Sequence, residues 1–254
     1  MERSGQRGGP AVSEVPVVVV AEGRPLADAL AGTDARVERV APDAVVPDAL
    51  DGARIAFAVG EPALLAVARH RPETPIAPVA AGVGRYDLAE RAAGAVVEAA
   101  GDGDLRTVAH PLFDVAVAGE RAGSAVADVT LLTAEPARIS EFGIGSTDGW
   151  FETVRADGVV VATPLGSTGY ARDAGAPVIA PGTGLVAVPV SAYAMHAHPW
   201  VLRPPMSLSV ERDEADVTLR LDDEEVRSVP PDAPVDVGTN GSLSLVAARQ
   251  FSTD

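Results

Sequence analysis

From residue 14 to about 100 the apolar positions fall into short solid blocks rather than a strict in–out alternation. Val17-Val18-Val19-Val20 is an unbroken β-branched run, which suits a strand covered on both faces. Residues 54–59 and 75–79 read as two more buried strands. Between the strands the spacing predicts helices over 25–31, over 62–69 with Pro62 in its first turn, and over 86–100, opened near Asp87. Strands alternating with helices imply a parallel sheet and an α/β unit.

The rhythm breaks at Gly101-Asp102-Gly103-Asp104, which reads as a turn or linker. Beyond it nearly everything reads as short strands: 105–109, 113–118, 125–133, 138–142, 151–155, 158–162, 185–190, 206–210, 217–221 and 243–246. Gly, Pro and Asp punctuate them, as in a β-sandwich-like domain. One helix, over 167–174, interrupts the run. The expected organisation is a flexible leader over 1–13, an α/β domain over 14–102 and a β-rich domain over 103–254. No repeat of solenoid period is present.

Composition narrows the partners. The 254 residues are 47% hydrophobic, enough for a sizeable core. Apolar runs such as 17–21 fall far short of the ~20 residues of a membrane helix. Residues 1–10 are polar and Gly-rich, without a secretory signal, so the expectation is a cytoplasmic protein with no membrane partner. Cysteine is absent, which removes disulfides, thiolate metal sites and cysteine nucleophiles together. Thirty-six acids face twenty bases, a formal charge of −16, and every base is Arg. No basic patch offsets the acids, so binding along a nucleic-acid backbone is disfavoured. Acid excess without Lys fits a salt-loving cytosol, where charge repulsion is screened; a GC-rich genome would explain the Arg but not the acids.

The stretch that carries chemistry is Asp157-Gly158-Val159-Val160-Val161-Ala162-Thr163-Pro164-Leu165-Gly166-Ser167-Thr168-Gly169-Tyr170. A strand ends in Thr-Pro and a Gly-Ser-Thr loop opens a helix. Ser167 or Thr168 can cap that helix, and free amides at its start favour a polar or anionic ligand. An ordinary, well-capped strand–loop–helix connection accounts for the same residues.

That segment resembles the signature of the NAD kinases, DGxxxxTPxGSTAY. Ala174-Gly175 stands where the family has a Gly-Gly pair. Pro189-Val190, His198-Pro199 and Leu221-Asp222 stand where it has Pro-Ile, Arg-Pro and a strand ending in Asp-Gly. The likeness runs from about residue 17 to 246 and is strongest over 125–200. It implies the NAD kinase fold, an α/β domain followed by a β-sandwich-like one with the nucleotide site between them. It also implies ATP-dependent phosphorylation of the adenosine-ribose 2′-hydroxyl of NAD, with Mg2+, and a homo-oligomer. By matched position Asp157, Thr168, Gly169 and Tyr170 contact NAD, Thr163 and Ser167 support them, and Asp128 keeps the acid of an Asn-Glu or Asn-Asp pair.

The sequence departs from the family in three places. The phosphate loop Gly-Gly-Asp-Gly-Thr, whose Asp is a base or magnesium organiser, reads Val59-Gly60-Glu61-Pro62-Ala63. Glu61 carries the charge one methylene further out, and Pro62 deletes an N–H and fixes φ, so a loop needing glycine there loses its shape. Ala127 replaces the amide before Asp128, and Ala80 replaces the Asn of the loop 78–82. Glu61 is then either the catalytic acid–base group or an acid placed for the helix dipole. His196 and His198 form a His-x-His pair without the further ligands a metal needs, and no metal site is assigned. The run Asp222-Asp223-Glu224-Glu225 could bind a cation but reads more simply as a solvated hairpin turn. Three functions compete: a working NAD kinase, a catalytically weak or silent NAD(P)-binding paralogue with a regulatory role, and a kinase for another hydroxyl-bearing substrate.

Overall fold

The structure, a computed structural model, describes residues 14–135, 138–193, 198–213 and 215–251. The 1–13 leader and His196 lie outside the described residues. The first half runs β1 (Val15–Val20), α1 (Ala27–Leu30), β2 (Ala35–Val40), α2 (Pro47–Leu50), β3 (Ile55–Val59), α3 (Glu61–Arg69), β4 (Ile76–Val79) and α4 (Ala93–Asp102). The strands pair in parallel in the order β2-β1-β3-β4. Val18 and Val20 of β1 face a cluster built on α3, while Val17 and Val19 face one built on α1 and α4. Burial on both faces is the reason for the solid valine run.

The second half runs β5 (Thr107–Val117), β6 (Glu120–Ala125), β7 (Asp128–Thr133), β8 (Ser140–Ser146), β9 (Phe151–Ala156), β10 (Gly158–Ala162), α5 (Tyr170–Asp173) and β11 (Leu185–Val190). It continues through β12 (Trp200–Leu202), β13 (Met206–Arg212), β14 (Val217–Leu221), β15 (Glu224–Ser228) and β16 (Val235–Val246). One antiparallel sheet has the order β12-β11-β10-β7-β14-β15. It packs on strands β5, β8, β13 and β16 around a core that includes Phe113, Phe142, Leu131 and Val161. The strand β16 pairs along its length with β5 and meets β4 in parallel at Leu245 and Ile76. The parallel and antiparallel parts are therefore one continuous sheet, and Leu243 and Leu245 are buried under α3 with the first half. No helix among the described residues is long and apolar enough to cross a membrane.

Several elements differ from expectation for identifiable reasons. The helix expected over 86–100 begins only at Ala93, because the Asp87 carboxylate accepts the amides of Ala81 (2.8 Å) and Val83 (2.9 Å) instead of capping a helix. Its far end runs through Gly101 and Asp102 and stops at Gly103, whose φ of 76° is the left-handed C-terminal cap. Segments 105–109 and 113–118 form one strand, β5, and 125–133 divides into β6 and β7. The helix expected over 167–174 is a 3-10 turn, Gly166–Thr168, followed by the single turn of α5.

Candidate active site

The Thr-Pro-Leu-Gly-Ser-Thr segment leaves the end of β10 and turns back against the chain between β6 and β7. The Thr163 hydroxyl is fully buried and donates to the Val126 carbonyl at 2.8 Å, and the Thr163 amide donates to Ala127 O at 2.9 Å. Gly166 lies so close that a Cβ there would sit 2.1 Å from the Ala127 carbonyl oxygen. The equally buried Ser167 hydroxyl donates to Pro164 O at 2.8 Å and accepts the Ile179 amide at 3.1 Å. Thr163 and Ser167 are thus internal braces of the turn, and their hydroxyls are committed within the protein.

Thr168 reaches the first half of the molecule. Its hydroxyl lies 2.8 Å from Leu165 O and 3.2 Å from Gly82 O. A Cβ on Gly84 would meet the Thr168 methyl at 2.9 Å. The loop 80–84 is fixed by the Asp87 carboxylate and by left-handed backbone at Ala80 (φ 49°), Gly82 (75°) and Gly84 (59°). Ala80, where the resemblance expects Asn, holds a conformation that costs an L-residue about 1–2 kcal/mol.

Glu61 opens α3 and is exposed. Pro62 is accommodated in the helix it helps to open. The positive φ of that loop falls on Gly60 (87°), and Pro62 is already the second residue of the helix, where no intrahelical partner for its N–H exists. Pro62 therefore costs the helix no hydrogen bond, and it offers no amide to a ligand.

Between these pieces lies a cavity of about 330 Å³, bordered by Glu61, Gly82, Asp128, Thr168, Gly169 and Tyr170, with Arg220, Asp222 and Asp223 closing one side. Among the site residues named from sequence, it unites Glu61, Asp128, Thr168, Gly169 and Tyr170. Gly60, at the start of the α3 turn, is not in its wall, and neither are Thr163 and Ser167. Asp157 also lies outside. It sits at the opposite end of β10 from Thr163, its amide bound to Val190 O and its carbonyl to Thr133. Its carboxylate is still felt by Tyr170, whose phenol is pushed up by burial first and then by Asp128 and Asp157.

Asp222 is the residue that sequence reasoning misplaced. The β14–β15 connection is a hairpin turn, but the Asp222 side chain is half-buried and turned inward. It accepts the backbone amides of Val126 (3.0 Å), Ala127 (2.7 Å) and Asp128 (3.1 Å), from a backbone with φ 54°. Burial pushes its carboxyl up, and the three amides pull it back. Asp128 is pushed up to about 7, by burial first and then by the Asp222 charge, with Thr130 O–H at 3.1 Å opposing and Glu61 adding a smaller upward push. Donors crowd Asp222 and a like charge faces Asp128, so Asp128 is the carboxyl of the two that takes up a proton more readily.

The same segment is held from behind by His110. Its Nε2 lies 2.9 Å from Val126 O, which makes Nε2 the protonated nitrogen. Burial lowers His110 to about 4, so the ring is neutral. Tyr86 packs edge-on to it at 5.6 Å, and burial raises that phenol to about 12. At the cavity mouth Arg69 of α3 pairs with Asp223 (2.5 Å) and Glu224 (3.0 Å), tying the first half to the β14–β15 hairpin. Among the described residues no three His, Asp or Glu side chains are placed to hold a metal ion.

Comparison with known proteins places this geometry. Residues 126–240 match the ATP-NAD kinase C-terminal domain. An NAD kinase of Methanosarcina acetivorans is 35% identical over 122 residues, 47% of this chain and 44% of the relative. An NAD kinase of Methanopyrus kandleri is 29% identical over 192 residues, 73% of this chain and 66% of the relative. The chain therefore aligns with less than half of the first relative and just under two thirds of the second. Among solved structures, an Archaeoglobus fulgidus NAD kinase in complex with ATP superposes with a TM-score of 0.73 at 20% identity, covering 93% of this chain and 95% of that one. Yeast NADH kinase complexed with NADH superposes with a TM-score of 0.74 at 14% identity, covering 93% and 84%. Both halves share the fold of these two solved structures, and residues 126–240, which carry the buried Thr-Pro-Leu-Gly-Ser-Thr turn, are similar to the ATP-NAD kinase C-terminal domain.

Proposed function

We propose that this chain transfers the γ-phosphoryl group of ATP to the 2′-hydroxyl of the adenosine ribose of NAD, giving NADP, at the cavity between its two halves. The observation that carries the reading is the convergence there of Glu61, the loop 80–84, Asp128 and the Thr168-Gly169-Tyr170 turn. The likeness of residues 126–240 to the ATP-NAD kinase C-terminal domain supports the reaction class. Asp128 is an acceptor suited to a sugar hydroxyl, Thr168 with Gly169 forms the adjoining wall, and Asp157, outside that wall but felt by the Tyr170 phenol, would meet a part of the ligand that extends past Tyr170. Glu61 is the acid–base candidate. It would take the proton of the attacking hydroxyl as the new O–P bond forms and the bond to the β-phosphate breaks, with ADP leaving. Mg2+ belongs to this reading as the ion that accompanies ATP. The cytosol of a salt-loving cell suits the charge of −16 and the absence of Lys. Assembly as a homo-oligomer suits the exposed Phe151, Tyr193 and Val201.

A coupled NADPH assay in molar KCl tests the reaction, with calorimetric NAD binding measured alongside. Wild type should form NADP, and Glu61→Ala should lose turnover while still binding NAD. Binding of NAD with no NADP formed by wild type would reject the kinase reading in favour of a nucleotide-binding paralogue.

A further inference from the structure

We infer that the cavity selects an unphosphorylated ribose over a 2′-phosphorylated one, and that Asp128 is the residue that makes the selection. The inference rests on the nucleotide-binding reading above. It concerns the sign of the wall, which is made of groups that receive hydrogen bonds and carry negative charge.

Asp128 is held in that wall by the Asp222 carboxylate, which fixes the amides of residues 126–128. Every element packed around Asp128 contributes to its surroundings. Asp222 and Asp223 come from the β14–β15 turn, Glu61 from α3, Tyr170 from α5, Thr130 from its own strand and Arg220 from β14. Arg220 is the one guanidinium among the described lining residues, and it is already engaged. It donates to Asp223 O at 3.0 Å and lies 3.6 Å from the Glu225 carboxylate. Two amides that could have faced an anion, those of Ala81 and Val83, are consumed by Asp87. The amides of Thr168 and Gly169 close back onto Leu165 and Gly166.

A ribose diol offers two O–H donors to such a wall. A 2′-phosphate offers none when fully ionised, and it adds about 1.5 to 2 negative charges at neutral pH. The pyrophosphate is common to NAD and NADP and cancels in the comparison. A second negative charge about 6 Å from one carboxylate, at a dielectric between the surface and bulk-water values, weakens binding about tenfold. The titration of Asp128 near 7 gives the effect a pH signature. Above it the carboxylate repels the phosphate; below it the neutral acid can donate a hydrogen bond to the phosphate instead.

The test is calorimetric binding of NAD and NADP to the full chain in molar KCl between pH 5.5 and 8.5 (about that range, to bracket both ionisations). For wild type at the alkaline end, NAD should bind at least about tenfold tighter than NADP, and the ratio should shrink as pH falls through 7. Asp128→Asn should bring the ratio towards one and remove the step near 7, leaving only the phosphate's own ionisation near ~6. The wild-type pH series decides the matter even where the variant does not fold. Equal affinities at high pH, or a variant with the wild-type ratio and slope, would overturn the inference while leaving NAD binding intact. Failure of wild type to bind either nucleotide would overturn the nucleotide-binding reading itself, and the inference with it.

Discussion

Replacing Asp222 tests how the site is built. Its carboxylate accepts three amides, from Val126, Ala127 and Asp128, at 2.7–3.1 Å. Val126 and Ala127 are buried. An amide left without its acceptor in such a place costs about 1–3 kcal/mol. With one of the three recovered by water from the cavity, the loss is about 3 kcal/mol. Removing the charge that faces Asp128 returns about 1 kcal/mol of it. Asp222→Gly should therefore lose about 2 kcal/mol, or about 4–8 °C in Tm for a chain of this size. The φ of 54° at this position separates the backbone from the side chain. Alanine, usually better than glycine, carries about 1–2 kcal/mol of left-handed strain here, so Asp222→Ala should be the less stable of the two. Asn keeps one oxygen and tolerates the conformation, and should lose about 1 kcal/mol. Thermal and urea unfolding in molar KCl gives the order Asp, Asn, Gly, Ala, and amide exchange should quicken at 126–128. A glycine variant within about 0.5 kcal/mol of wild type, or Asn below Ala, would refute the anchoring role.

Three further outcomes follow from other contacts. Gly84→Ala places a methyl 2.9 Å from the Thr168 side chain at φ 59°; it should cost about 1–2 kcal/mol and weaken calorimetric NAD binding by parting the loop 80–84 from the Thr168 turn. With a charge of −16, Tm should rise as KCl is raised to about 2 M, because the Debye length is only about 3 Å already at 1 M; a flat or falling Tm would contradict the screening argument, since the exposed Arg69 pairs that salt weakens are worth only about 0–1 kcal/mol. Two buried groups give opposite pH slopes. Asp128, raised to about 7, holds a proton more firmly folded than unfolded, so its ionisation subtracts stability as pH climbs from about 4 through 7. His110, lowered to about 4, must stay neutral in the fold, so its contribution is lost as pH falls from about 6.5 towards 4. Asp128→Asn should therefore gain on wild type between pH 5 and 8 and make the His110 slope easier to see, both read from unfolding midpoints across that range (about three pH units, set by the two shifts).

Legibility tracked burial. The strands β10, β11 and β14 coincide with the segments expected from their apolar runs, because each is buried on at least one face and bounded by Gly, Pro or acids. β2 and β15 left no such signal. Arg36 and Glu38 alternate along the outer edge of the parallel sheet, and Glu224–Ser228 is exposed throughout; both are strands through ladder pairing with one neighbour. Of β16 only 243–246 stands out as a strand in the sequence, because Gly238, Asn240 and Gly241 interrupt the apolar pattern before it. The strand passes through them with a register shift between Thr239 and Ser242, as a bulge allows. At the site, the turn carrying Thr168 and Tyr170 was legible because its side chains and glycines form one continuous motif.

The Asp222 clamp was not legible, and the reason lies in what a carboxylate can do at a turn. A run of four acids is compatible with full solvation, and nothing local distinguishes the one whose oxygens point inward. Its partners are amides 94 to 96 residues away, and amides have no sequence identity. The same property explains why substitutions at Ala80 and Ala127 leave the framework standing. Ala80 keeps its left-handed φ, and Ala127 still donates its N–H to Asp222 and accepts from Thr163. What those positions contribute to the architecture is backbone, which alanine supplies. What they do not contribute is the amide side chain that the resemblance expects there, and of the two only Ala127 is in the wall of the cavity. The polar character of that wall is shifted accordingly towards Asp128, Asp222 and Glu61, whose charges must be answered by the hydroxyls, the proton or the cation that a ligand brings with it.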